Sequence, residues 1–206
     1  MNPAGIELID FWRRAGDQGL WFAKQASFDR AFRRRFLNLH LAVVDRHHDD
    51  WIETPLGALG LLLLTDQFPR NAFRGSARMY ATDPIARHFA LQALEAGHMP
   101  HVDAPLRVFF CLPFAHSEDL ADQALSIRLN KQLGQPWLAH AEGHCDIIRR
   151  FGRFPHRNAI LGRSRPKKRS AFFRKAVLPV DSDSSTYLWT DFFGKRLKIL
   201  ADCAPM

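Results

Sequence analysis

Residues 27–43 read SFDRAFRRRFLNLHLAV. Phe28, Phe32, Phe36, Leu39 and Val43 recur at intervals of three and four, and Arg33, Arg34 and Arg35 crowd around Phe36. That period gathers the apolar residues on one stripe of a helix and leaves the arginines on its wet side. Ser27 stands where an N-cap belongs. Helical signals continue outward from this stretch. Asp83-Pro84 opens a helix in cap-then-proline order, Ile85, Phe89 and Ala93 run beside Ala86, Ala90 and Leu94, and Gly97 closes it. Thr54-Pro55 opens another, apolar on every side from Ala58 to Leu64, which reads as a buried central helix. Asp103 is expected to cap a helix through Phe109 and Phe110. Ser117 is expected to cap the next, with Glu118 and Asp119 in its first turn and an end near Gly134. A last helix spans about Pro136 to Arg150 and breaks at Gly152 and Pro155. No alternating strand pattern appears before residue 163, so the expected class is all-α: about seven to nine helices packed as antiparallel pairs.

Composition narrows the function classes. The chain has 206 residues, 47% hydrophobic and 24% charged, with 17 Phe and 5 Trp, which suits one folded domain and excludes general disorder. Cys111, Cys145 and Cys203 are odd in number and far apart, which excludes a disulfide framework and a cysteine zinc site. The N-terminus lacks the pattern of a signal peptide, and the longest apolar run, Pro55 to Leu64, falls short of the roughly 20 residues a membrane span needs. A cytoplasmic protein without membrane contact is expected. The net charge is +8, but after Arg163 nine basic residues meet four acidic ones. Most of the excess therefore belongs to the tail, where RPKKR (165–169) and DSDSST (181–186) read as linker-like. The expected division is a helical domain at 1–163 and a basic segment at 164–206. No nucleic-acid-binding motif surrounds Lys167, Lys168 and Arg169, so nucleic acid is not an expected partner.

Three places could carry chemistry. Asp66-Gln67-Phe68-Pro69-Arg70-Asn71 and Arg153-Phe154-Pro155-His156-Arg157-Asn158 both place Phe-Pro before Arg-Asn, at the end of an apolar helix. Proline biases its predecessor away from helix, so each helix is expected to stop at the phenylalanine and leave Arg and Asn just beyond. There the arginines either cap carbonyls and pair with a carboxylate such as Asp66, or clamp an anion with their guanidinium forks. His116, followed by Ser117, Glu118 and, a turn on, Gln123, is expected beside a helix N-terminus, which would favour a neutral imidazole while Glu118 and Asp119 oppose that effect; the alternative is an ordinary capped helix start. His140 and His144 share one helix face, but Glu142 is out of register for H-E-x-x-H, and no metal or cofactor is expected.

These motifs, with Asp10-Phe11-Trp12, Trp21-Phe22, Phe28-Asp29, Arg35-Phe36 and Pro113-Phe114, resemble the bacterial domain-of-unknown-function 924 family over residues 1 to about 163. The resemblance implies a tetratricopeptide-like array of helix pairs and no settled activity. Its signature falls on Asp66, Gln67, Arg70, Asn71, His116, Ser117, Glu118, Gln123, His144, Arg153, His156, Arg157 and Asn158. The tail departs from it: a basic stretch follows Arg163 where the family runs acidic.

Three readings of function stand open. The first is a module binding a small anion or peptide carboxylate through Arg70, Arg153 and Arg157, with Asp66, Gln67, Asn71, Gln123, His156 and Asn158 around them. The second is a hydrolase with His116 or His144 as base, Glu118 nearby and the arginines stabilising charge. The third is a protein-interaction scaffold.

Overall fold

In the computed structural model, which describes residues 1–164, aromatic rings decide where the core sits. Helices α1 (Pro3–Asp17) and α2 (Ala26–Val44) meet through them. The Phe11 ring lies 5.6 Å from Phe28, 5.4 Å from Phe32 and 5.3 Å from Phe36. Trp12, fully buried, takes the Phe109 ring edge-on at 5.3 Å and accepts the Trp21 indole N–H on its carbonyl. Each such pair adds about 0.5–1.5 kcal/mol beyond the area it buries. One position of the stripe differs from expectation. His40, not Leu39, is buried with Phe28, Phe32, Phe36 and Val43, because its ring stacks on Phe68 at 4.7 Å and its Nδ1–H donates to the Leu64 carbonyl.

Helix α3 (Pro55–Leu62) is the central helix, packed against α1, α5 and α6. Thr54 caps it as expected, its hydroxyl accepting the Gly57 N–H. It runs without a break through a π-helical turn, Leu63–Gln67, into α4 (Phe68–Ala72). Helices α5 (Asp83–Glu95), α6 (Val108–Ala115), α7 (Leu120–Leu133) and α8 (Trp137–Phe151) follow, with α6 on α5, α7 on α6 and α8 on α7. The short connections make α6, α7 and α8 successive antiparallel neighbours. No strand occurs among the described residues, and the fold is all-α. Among the same residues no helix is long and apolar enough to cross a membrane.

The chain falls into two units, Met1–Phe154 and Pro155–Met206. All eight α-helices found among the described residues belong to the first. The described part of the second holds a 3-10 turn, Pro155–Arg157, closed by Asn158 N–H to the Pro155 carbonyl and Leu161 N–H to the Arg157 carbonyl. The two linker-like stretches of the basic tail lie outside the described residues.

Several expected caps are corrected. Ser27 lies inside α2, whose N-cap is Gln25 without a side-chain bond. Asp103 caps nothing, because its carboxylate is held by Arg13 at 2.8 Å. Asp119, not Ser117, caps α7 by accepting the Ala121 and Asp122 N–H groups. Thr82 precedes α5 in the cap position but spends its hydroxyl elsewhere, and Asp83 begins the helix itself.

Candidate functional site

The helix expected to stop at Phe68 does not stop. Pro69 brings two problems to a helix interior: its ring presses on the carbonyl four residues back, and it has no N–H to give that carbonyl. The π turn answers the first by widening the helix just ahead of the proline, with the Phe68 N–H reaching back five residues to the Leu63 carbonyl. Thr82 answers the second, its hydroxyl donating to the Thr65 carbonyl at 2.6 Å. His40 holds the Leu64 carbonyl and the Thr65 hydroxyl holds that of Leu61. Arg70 and Asn71 are therefore inside a helix, not beyond one.

The turn carries Asp66 into the core. Its carboxylate is buried yet fully surrounded: Oδ1 accepts from His116 Nδ1 at 2.8 Å and pairs with Arg70 Nη1 at 3.1 Å, and Oδ2 accepts from Gln67 Nε2 at 2.6 Å. Arg70 also donates to the Asp66 carbonyl at 2.7 Å and pairs through Nη2 with Asp83 at 2.9 Å. Burial alone would push the Asp66 carboxyl up. Arg70 first, then His116 and Gln67, outweigh it and hold the group at about 2. Burial chiefly, and then the Arg70 charge, push the His116 imidazole below its ordinary value, and Asp66 only partly opposes them. At neutral pH the pair is thus a carboxylate accepting from a neutral imidazole. An ionised carboxylate can only accept, so Nδ1 carries the proton and Nε2 the basic lone pair.

His116 is the C-cap of α6, its N–H donating to the Leu112 carbonyl, and α7 begins only at Leu120 behind its own cap, Asp119. The neutral imidazole expected there arises from burial and Arg70 instead. His144, from α8, stands edge-to-face with His116 at 6.3 Å and with Phe154 at 5.6 Å. Its Nδ1–H donates to the His140 carbonyl at 2.7 Å, which again places the basic lone pair on Nε2.

The remaining predicted residues divide by task. Gln123 is buried and donates to the Ala115 and Ser117 carbonyls, fixing the chain on both sides of His116. Glu118 accepts the Phe154 N–H at 2.9 Å, tying the end of the first unit to the α6–α7 connection. Asn71 donates to the Gln67 carbonyl and accepts from Arg74. Arg153 follows Gly152, whose left-handed backbone ends α8. His156 and Arg157 lie in the 3-10 turn of the second unit, and Asn158 follows it. Asp83, Thr82 and Tyr80, whose ring takes the Arg70 guanidinium at 5.9 Å, belong to the cluster without any motif in the sequence that marks them as part of it. The one available signal was Pro69 within an apolar helix, which demands a donor from elsewhere. No group of three His, Cys, Asp or Glu side chains suited to a metal occurs among the described residues.

Residues 8–176 match the sequence profile of a family described as bacterial protein of unknown function (DUF924). A solved structure of the protein of unknown function ATU0120 from Agrobacterium tumefaciens is similar at 52% identity and a TM-score of 0.76, over 78% of this chain and 90% of that one. No curated protein matches the chain. The chain belongs to the DUF924 family.

Proposed function

We propose that this member of the DUF924 family carries an acid–base site, with His116 Nε2 as the group that takes and returns a proton and Asp66 as the carboxylate that orients it. The observation behind this reading is the 2.8 Å bond between Asp66 Oδ1 and His116 Nδ1, inside a cluster that keeps Asp66 ionised. A carboxylate behind an imidazole fixes the tautomer and stabilises the imidazolium formed during proton transfer. His144 brings a second basic nitrogen to the same place. Hydrolysis, in which a base activates water, is the reaction class that asks least beyond these groups.

The anion-clamp reading of the sequence needs guanidinium donors to spare. At Arg70 two carboxylates and a carbonyl take them, so that reading passes to other arginines. With Asp66 and Asp83 ionised, Arg70 charged and His116 neutral, the cluster carries net negative charge, which favours a neutral or cationic substrate.

The test is nitrogen-15 NMR of the histidine rings together with turnover of a panel of activated esters and amides. His116 should be an Nδ1–H tautomer that protonates below the ordinary histidine value, and Asp66→Asn should lower kcat by about 10²-fold or more with KM nearly unchanged. An Nε2–H tautomer, a His116 charged at pH 7, or turnover unaffected by Asp66→Asn would overturn the reading.

A further inference from the structure

Away from Asp66, the α1–α2 pair leaves an open groove of about 380 Å³. That volume lies at the small end of ligand pockets. The rings that join the two helices form its floor, with Phe11 and Phe28 stacked at 5.6 Å and Leu20 beside them. Arg14 and Arg35 stand on its walls. Arg35 leans over the Phe11 ring at 5.8 Å and pairs with Glu7, a contact in which both side chains are about half exposed. Exposed pairs of this kind contribute little and exchange readily. The Arg14 guanidinium is exposed and has no partner among the described residues. With Glu7 counted, the mouth keeps one positive charge.

The groove also borders the start of α2. Gln25, the N-cap residue, lines it, and its side chain makes no cap hydrogen bond. Among the described residues the first N–H groups of this 19-residue helix have no side-chain acceptor, at the positive end of its dipole.

We propose that this groove binds a small carboxylate with an aromatic or aliphatic body. The body lies on Phe11 and Phe28, and the carboxylate reaches Arg14 and Arg35 near the open end of α2. The floor asks for an apolar ligand, and the single excess charge asks for a monoanion. Planar guanidinium groups match a carboxylate oxygen for oxygen. The site shares no residue with the Asp66–His116 cluster and stands or falls separately from it.

The experiment is titration of the full chain with 4-phenylbutyrate and with its neutral amide, followed by backbone amide shifts. The acid should shift residues 14–18 and 25–31 saturably, and the amide should bind at least about tenfold more weakly, the loss expected for one charge-assisted contact. Arg14→Gln should weaken the acid by a similar factor without changing the amide. Ala31→Trp, placed on the groove wall, should abolish both while His116 and its neighbours keep their shifts. Equal binding of acid and amide, acid binding that survives Arg14→Gln, or no saturable shift with either compound would overturn the proposal.

Discussion

Thr82 gives its hydroxyl to the Thr65 carbonyl at 2.6 Å, at the position where an ordinary helix would use the N–H of residue 69. Because residue 69 is proline, a side chain from the start of α5 completes the helix that carries Asp66. The neighbouring Asp83 holds Arg70 from the same place. The backbone and the charges of the cluster are thus fastened by two adjacent residues.

Thr82→Val keeps the shape of that side chain and removes the donor. The Thr65 carbonyl, buried and without an N–H, then loses its partner, at a cost of about 1–3 kcal/mol. Urea unfolding should show that loss, while Thr82→Ser, which retains the hydroxyl, should recover most of it. Equal losses from valine and serine would mean that methyl packing, not the hydrogen bond, matters at this position.

Arg70 is the charge that most favours an ionised Asp66. Arg70→Met leaves two carboxylates near one another without their cation, and breaking a buried pair in this way costs about 3–5 kcal/mol. His116 should respond in the opposite sense to its present shift. Without the guanidinium, and with Asp66 still beside it, its protonation point should rise. A histidine-ring titration by NMR of both proteins reads this directly, and an unmoved His116 would contradict the electrostatic account.

Much of this arrangement was legible in the chain and some was not. Phe28, Phe32 and Phe36 announce α2 because apolar side chains at helical spacing have one way to be buried together. Thr54-Pro55 announces α3 because both residues act locally, on the first turn that follows them. The π turn at 63–67 is invisible to the same reasoning: a rule about proline looks one residue back, whereas Pro69 is accommodated by Thr82, thirteen residues on. Asp103 and Ser117 mislead for a related reason. A short polar side chain can cap a helix or serve a distant partner, and Arg13 takes Asp103 as Arg87 takes Ser117. The likeness of the two Phe-Pro motifs was real in sequence but not in structure. One is threaded through a helix, while the other follows the left-handed Gly152 that had already ended one.

Stability should begin to fall with acid well before the carboxylates titrate. His40 and His116 both protonate less readily in the fold than in the unfolded chain, burial being the main cause in each. Their contribution is complete above about pH 6.5, the unfolded value, and is lost as pH falls through the folded values. Asp66 contributes in the same direction at lower pH, from about 4 down to about 2, on the order of 2 kcal/mol. Urea midpoints between pH 7.5 and 5 should therefore decline, and His116→Gln should flatten part of the slope. A flat profile to pH 5 would show that neither imidazole is protonated less readily in the fold.

Two glycines should respond to alanine with opposite signs. At Gly57 an added methyl would collide with the Trp51 carbonyl oxygen and stand 2.7 Å from the Thr54 hydroxyl that caps α3. Neither is the loose end of a flexible chain: one is backbone, the other is the cap itself. Gly57→Ala should cost about 3 kcal/mol or more, at the upper end of overpacking effects. At Gly143, exposed in the middle of α8, an added methyl meets nothing within 4 Å. The substitution restricts the unfolded chain and favours the helix, so Gly143→Ala should stabilise by about 0.5–1 kcal/mol. Thermal or urea melts of the two single variants test the pair. If Gly57→Ala melted with the parent protein, the close approach of Trp51 to the first turn of α3 would have to be abandoned.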